Sequence, residues 1–185
     1  MSIIGIICIG PHNQINHNGD LLYRFKSDME NFRNITINAT NVILGRKTFN
    51  EEYFPLGNRF HLVLTRDTTR CSRILPEVAY YTYSTIKDIL EQNKDSNFCV
   101  IGGLETYKAL IDYIDVWYIT KVYKDPNEPD ISKEDKTIDI QRLIENKGFA
   151  MIDSHDYQEV NQFTGKECKY YIQKYININS FKLSM

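Results

Sequence analysis

Short apolar runs recur along the chain, separated by mixed polar segments. They cover residues 3–9, 42–44, 60–64, 98–101 and 116–122. Each is almost wholly apolar and rich in Ile and Val, a pattern that predicts strands covered on both faces. Helix-like segments fall between them, over residues 27–37, after Gly45, over 84–92 and after Gly103. Strand and helix alternate, so the fold class is α/β, with a mainly parallel central sheet and flanking helices. The last third differs. Residues 125–139 hold two prolines and many charges, which predicts an exposed connection. Residues 149–152 and 169–175 predict an antiparallel pair at the C-terminal edge of the sheet. Residues 1–176 are expected to form one domain, with 177–185 as a tail.

Composition narrows the possibilities. A chain of 185 residues suits a single domain, and 42% hydrophobic residues supply a core. A net charge of −2 and a pI of about 6.1 give no basic footprint for nucleic acid or an acidic membrane surface. No apolar run approaches the roughly 20 residues that span a bilayer. The apolar N-terminus lacks a basic leader and a small-residue cleavage site, so it reads as a strand. The four cysteines, Cys8, Cys71, Cys99 and Cys168, are widely spaced, without a C-x-x-C pair. They predict reduced thiols in a cytoplasmic protein, expected to be a monomer.

Four places could carry chemistry. Ser27-Asp28-Met29-Glu30 matches a capping box, so a helix should start there. Phe32 and Ile35 then share a face with Asp28. A carboxylate on an apolar helical face either complements the helix dipole or serves as a buried acid for a substrate. Gly45-Arg46-Lys47-Thr48 follows a strand directly. That arrangement offers backbone N–H groups and two cations to an anion, although a solvated turn would look the same. It is not a P-loop, because Thr40 and Arg46 stand where glycine and lysine would be needed. Gly102-Gly103 closes another strand and allows close approach to backbone, but no G-x-G-x-x-G is present. Thr65-Arg66, at the end of a third strand, could hold a phosphate monoester. Three of these places share the C-terminal end of an expected parallel strand, where open α/β sheets bind ligands. Cys8, His12 and His17 lack a fixed ligand geometry, so no metal site is expected.

The order of these motifs resembles dihydrofolate reductase. The stretch from Ile15 to Phe32 resembles the family's substrate-side segment, in which a loop leads to an acid with an aromatic residue four positions later. Residues 42–49 resemble the strand followed by G-R-x-T-[WF]. Pro55-Leu56-Gly57-Asn58-Arg59 resembles P-L-x-x-R, and Ile101-Gly102-Gly103 through Tyr107 resembles I-G-G-x-x-x-Y. Tyr118-Ile119-Thr120 resembles the strand that supplies a threonine to the acid. The likeness runs from residue 3 to about 123 and is only general beyond. It implies a dihydrofolate-reductase-like fold and hydride transfer from NADPH to C6 of 7,8-dihydrofolate, giving tetrahydrofolate for one-carbon metabolism at a site that antifolates target.

The resemblance also implies roles. Asp28 would bind N3 and the 2-amino group of the pterin, supported by Thr120, and promote a water-relayed proton to N5. Tyr23, in place of the usual tryptophan, would hydrogen-bond a water. Ile6, Cys8, Leu21, Phe32, Leu56, Ile101 and Tyr107 would line the substrate pocket, and Arg59 would fork onto the glutamate α-carboxylate. Cys8, Ile15, Gly19, Asp20, Gly45, Thr48, Gly102, Gly103, Leu104, Glu105 and Thr106 would meet the cofactor. Arg46, Lys47, Thr65 and Arg66 would hold its phosphates, and the Gly102–Gly103 peptide would be cis. Residues 10–22 would form a mobile loop. Leu22 stands where proline is usual, and Leu104 where a small residue is usual. Two other readings remain: an NADPH-dependent reductase of another pterin-like or pyrimidine substrate, against which Arg59 argues, and a non-catalytic folate- or NADPH-binding protein, against which Asp28 together with Thr120 argues.

Overall fold

The apolar runs become strands, and most of their residues are buried in unbroken stretches rather than alternately. A computed structural model describes residues 2–49, 54–68, 75–126, 128 and 130–179. The strands are β1 (Ile3–Ile9), β2 (Asn41–Gly45), β3 (Phe60–Leu64), β4 (Val78–Tyr81), β5 (Phe98–Gly102), β6 (Val116–Lys124), β7 (Phe149–Asn161) and β8 (Lys166–Asn177). The helices are α1 (Lys26–Ala39), α2 (Tyr83–Gln92), α3 (Leu104–Leu110) and α4 (Ile140–Glu145). The strand order is β4-β3-β2-β5-β1-β6-β8-β7. Pairings of β1 with β5, β2 with β3 and β5, and β3 with β4 are parallel. β8 pairs antiparallel with both β6 and β7. The expected mainly parallel sheet with an antiparallel C-terminal edge is therefore present.

The chain divides into two compact units, Met1–Gly5 with Arg33–Ile114, and Ile6–Phe32 with Asp115–Met185. In the first, Leu44, Val63 and Val78 form a core against Phe49, Phe54, Leu75, Tyr80 and Ile101. In the second, Tyr23, Phe25, Val122, Cys168, Tyr170 and Ile172 cluster with Cys8, Leu22 and Tyr157. Here Phe25 stacks on Tyr23 at 5.5 Å and on Tyr170 at 4.3 Å, and Tyr170 stacks on Tyr157 at 5.1 Å. Tyr23 and Phe25 of this column belong to the segment that enters α1.

Several expectations need correction. α1 begins at Lys26, so Ser27 lies inside the helix. Its side chain does not close a capping box, because its N–H and hydroxyl both donate to Glu159 on β7. After Gly45 the described residues form a turn rather than a helix: Thr48 N and Phe49 N both donate to Gly45 O, at 2.9 and 3.1 Å. Residues 50–53 lie outside the described residues, as do Cys71 and the last six positions of the expected tail. The 125–139 segment is more than an exposed connection. Ile15 N donates to Lys136 O at 2.8 Å, Ile138 N donates to Asn13 O at 2.9 Å, and Ile138 is buried. The C-terminal pair is a much longer hairpin than its apolar centre suggested. β7 is mostly exposed, so it carries few apolar residues to reveal it. β4 and α4 are further elements that the periodicity did not predict.

Asn161, fully buried at the end of β7, ties this hairpin to the entry of α1. Its Oδ1 accepts from Arg24 N at 3.1 Å and Phe163 N at 3.2 Å, and its Nδ2 donates to Leu22 O at 3.2 Å. Asn161→Ala leaves these backbone groups without their partner and is expected to lower unfolding free energy by about 2 kcal/mol. Urea denaturation of both proteins measures the difference.

Candidate active site

Asp28 sits in the first turn of α1, and Thr120 is buried on β6. The Thr120 hydroxyl donates to Asp28 Oδ1 at 2.5 Å. β6 supplies this hydroxyl because its register on β8, Thr120 opposite Ile172, fixes which face each residue takes. Burial pushes the Asp28 carboxyl above the usual carboxylate range. The Thr120 hydrogen bond opposes that rise, and the Glu159 charge adds to it. Cys8 on β1 is partly buried, and its thiol is raised by burial and then by the Asp28 charge. Phe32 follows one turn later in α1 and is partly buried. The arrangement can hold a proton to higher pH than an ordinary carboxyl and present a hydrogen-bonding edge to a polar ring.

Other residues of this unit take varied positions. Ile6 is buried, Ile15 is partly buried, and Leu21 is 70% exposed. Gly19 has φ 92°, and exposed Asp20 closes a turn with His17 through two backbone hydrogen bonds of 3.0 Å. Tyr23 is buried in the ring column, its phenol raised first by burial and then by Asp125. The cavity described in this unit, about 80 Å³ and lined by residues including Asn31, Tyr118, His155 and Lys174, contains none of the expected site residues. It is small, and neither Asp28 nor Thr120 lines it.

In the first unit the glycine and cation turns converge. A Cβ on Gly45 would meet Thr106 Oγ1 at 2.9 Å, with Gly103 N and Gly102 O at 3.8 and 3.9 Å. A Cβ on Gly103 would meet Thr48 Oγ1 at 3.0 Å. Arg46 N donates to Leu64 O at 3.0 Å, which adds the end of β3 to the ends of β2 and β5. The Gly102–Gly103 peptide is cis, as the resemblance implied, and Gly102 has φ 109° with Tyr107 against it. Arg46, Lys47 and Arg66 are exposed, Thr65 is partly buried, and Thr65 Oγ1 contacts Asp67 O at 3.1 Å. Leu104 and exposed Glu105 open α3, and Thr106 is buried behind them. Exposed cations, backbone and small residues at three adjacent strand ends fit a phosphate-bearing group.

Arg59 is partly buried. It donates from Nη1 to Thr36 Oγ1 at 2.8 Å and from Nε to Gly57 O at 3.0 Å. Burial lowers its pKa, and the neighbouring Arg33 charge lowers it further. Leu56 is set by its backbone: its N–H donates to Nε2 of buried His61 at 3.0 Å. The sequence reading missed Thr36, Arg33 and His61. Thr36 lies one helical turn beyond Phe32, so the 3.6-residue period could have flagged it. His61 and Glu159 carry no local signal, because strand packing alone brings them to their partners.

The sheet is mainly parallel; anion-type turns stand at adjacent strand ends in the first unit, and the second unit holds a desolvated acid against a threonine. A family model described as "Dihydrofolate reductase" matches residues 2–171. Dihydrofolate reductase of Bacillus subtilis (strain 168) is 30% identical over 122 residues, covering 64% of this chain and 67% of that protein. The Saccharomyces cerevisiae enzyme of the same name is 32% identical over 141 residues, covering 65% and 64%. The aligned stretch thus spans about two thirds of each relative. Among solved structures, dihydrofolate reductase from Enterococcus faecalis, complexed with NADP(H) and RAB-propyl, has a TM-score of 0.69 at 21% identity, covering 96% of each chain. The chain belongs to the dihydrofolate reductase family. No helix among the described residues is long and apolar enough to cross a membrane.

Asp28 gives a test that does not depend on substrate. Its folded pKa is raised, so its contribution to stability is present at low pH and is lost as pH rises through that pKa. Asp28→Asn removes the charge that burial penalises. It is expected to raise thermal stability relative to wild type at pH 8, with the difference shrinking towards pH 4. Paired melting curves across that range measure it, and a constant difference would count against a desolvated carboxylate.

Proposed function

We propose that this protein reduces 7,8-dihydrofolate to 5,6,7,8-tetrahydrofolate with NADPH, in one domain spanning residues 1–176. The observation that carries the reading is the Thr120–Asp28 hydrogen bond around a carboxyl that burial holds above its ordinary pKa. NADPH, when bound, supplies the hydride that adds to C6 of the pterin. The chain's own part is to orient the ring and bring a proton to N5. Asp28 pairs with N3 and the 2-amino group at the far edge of the ring, so it does not reach N5 itself. A water carries the proton, and the desolvated acid, its pKa raised by burial, favours that protonation. Thr120 fixes the carboxyl's orientation. Cys8, Ile6 and Phe32 keep bulk water from the ring.

Arg59 is the anchor for the glutamate α-carboxylate, and its neighbour Arg33 deepens the positive field there. That fork supports a glutamyl substrate over a ribityl one. Arg46, Lys47, Thr65 and Arg66 are the phosphate ligands, with the last two nearest the 2′-phosphate, and Gly45, Gly102 and Gly103 allow backbone to meet the cofactor closely. Free thiols at Cys8, Cys99 and Cys168 accord with a reducing, cytoplasmic setting.

Purified protein is expected to oxidise NADPH only when dihydrofolate is supplied, with methotrexate stopping the reaction, followed by NADPH absorbance. Turnover should fall as pH rises through the raised Asp28 pKa, because the protonated fraction falls. Asp28→Asn should cut turnover at neutral pH on the order of a hundredfold while NADPH affinity stays nearly unchanged. Tight NADPH binding without turnover in the wild type would overturn the reading.

A further inference from the structure

The first turn of α1 receives a second acid from far along the chain. Glu159 lies on β7, and Ser27 donates to it twice, from its backbone N–H to Oε2 at 3.2 Å and from its hydroxyl to Oε1. Asp28 is the next residue. Both Glu159 oxygens therefore act as acceptors. A negative group at a helix start is favourable in itself, since the first N–H groups lack intrahelical partners. A neutral Ser, Thr or Asn would satisfy the same donors. A carboxylate so close to Asp28 adds like-charge repulsion that a neutral cap would avoid.

We infer that Glu159 is a positioning residue for the proposed reaction, clamping the Asp28 turn through Ser27 and setting a fixed negative charge beside the acid. This rests on the reading of Asp28 as the acid. The groups facing Asp28 are Cys8 from β1, Thr120 from β6, Glu159 from β7 and Tyr170 from β8. The Cys8 thiol and the Tyr170 phenol are both pushed well above their ordinary values, chiefly by burial, so both are neutral at physiological pH. Thr120 carries no charge. Glu159 is thus the other carboxylate of this set, and its charge pushes the Asp28 pKa further up. Thr120 favours the ionised form and Glu159 the protonated form, so two strands tune the acid in opposite directions. The β7–β8 register, Glu159 opposite Cys168, sets the reach of the clamp.

Glu159→Gln keeps the shape and removes the charge, and its amide can still pair with the Ser27 hydroxyl. With aspartate carboxyl carbons labelled, and the Asp28 resonance assigned by its loss in Asp28→Asn, an NMR titration reads the Asp28 proton without turnover. The expected result is a downward shift of the Asp28 midpoint in Glu159→Gln on the order of half a unit to one unit. Turnover above the midpoint should fall roughly three- to tenfold in step, with NADPH affinity unchanged. Glu159→Asp, which keeps the charge, should return the midpoint towards wild type. An unchanged midpoint in Glu159→Gln, or an equal fall in Glu159→Asp, overturns the inference. Should Glu159→Gln not fold, Ser27→Ala decides, because it removes the hydroxyl that holds Glu159 beside the turn: the Asp28 midpoint should again move down, and an unchanged midpoint overturns the inference. A wild type that fails to reduce dihydrofolate while keeping this coupling would sink the proposed function and leave the electrostatic clamp standing.

Discussion

A carboxyl withdrawn from water opposes folding unless something compensates for its lost hydration, and Asp28 imposes that condition on its surroundings. The Thr120 hydroxyl is the compensation the structure supplies. It reaches Asp28 only if β6 keeps its face, and β6 keeps its face only in its register with β8. A slip of one residue would turn Thr120 away and bring Ile119 or Lys121 to the acid. The long antiparallel hairpin is therefore part of the acid's environment as well as an edge. It carries Asn161, which fixes the backbone entering α1, and Glu159, which fixes its first turn.

The first unit obeys a different constraint, close approach. Gly45, Thr48, Gly103 and Thr106 leave no room for a side chain at either glycine without movement of a neighbouring threonine. Such tightness brings three strand ends within one small area, so that exposed Arg46, Lys47 and Arg66 share a field. Parallel pairing is what aligns those ends. An antiparallel β3 would place Thr65 and Arg66 at the opposite end of the sheet from Gly45.

The legible features were those encoded within a few residues. Buried parallel strands read as apolar runs, and Gly45-Arg46-Lys47-Thr48 and Gly102-Gly103 each announce a strand end in consecutive positions. Asp28 was legible as an anomaly because a helical face must be apolar to bury. Its partner Thr120 was reached through resemblance, since a lone threonine in a strand carries no signal of its own. Glu159 was not legible at all. It sits in a half-exposed edge strand whose charged residues look like any solvated surface, and its contact with Ser27 spans 132 positions. The capping-box reading failed for the same reason: a distant acceptor took the serine's donors. His61 likewise sits in an apolar run, and nothing nearby reveals that its ring holds the Leu56 backbone.

The loop before α1 shows how one strand can serve two purposes. Thr120 and Lys121 are consecutive on β6 and point to opposite faces. Thr120 holds the acid, and Lys121 donates to Pro11 O at 3.1 Å and Asn13 Oδ1 at 2.5 Å. The loop is tied again by Ile15 to Lys136 and by the His17 and Asn18 contacts with Asp135, at 3.1 and 3.0 Å. At its far end Leu22 O is held by Asn161, and Tyr23 is stacked in the ring column. Between those anchors the side chains of residues 18–21 are exposed, Leu21 most of all. Two of the departures from the family pattern, Leu22 and Tyr23, thus fall where the loop is fixed to the hairpin. These contacts hold the loop at both ends, and the anchor at Tyr23 fixes the backbone five positions before Asp28.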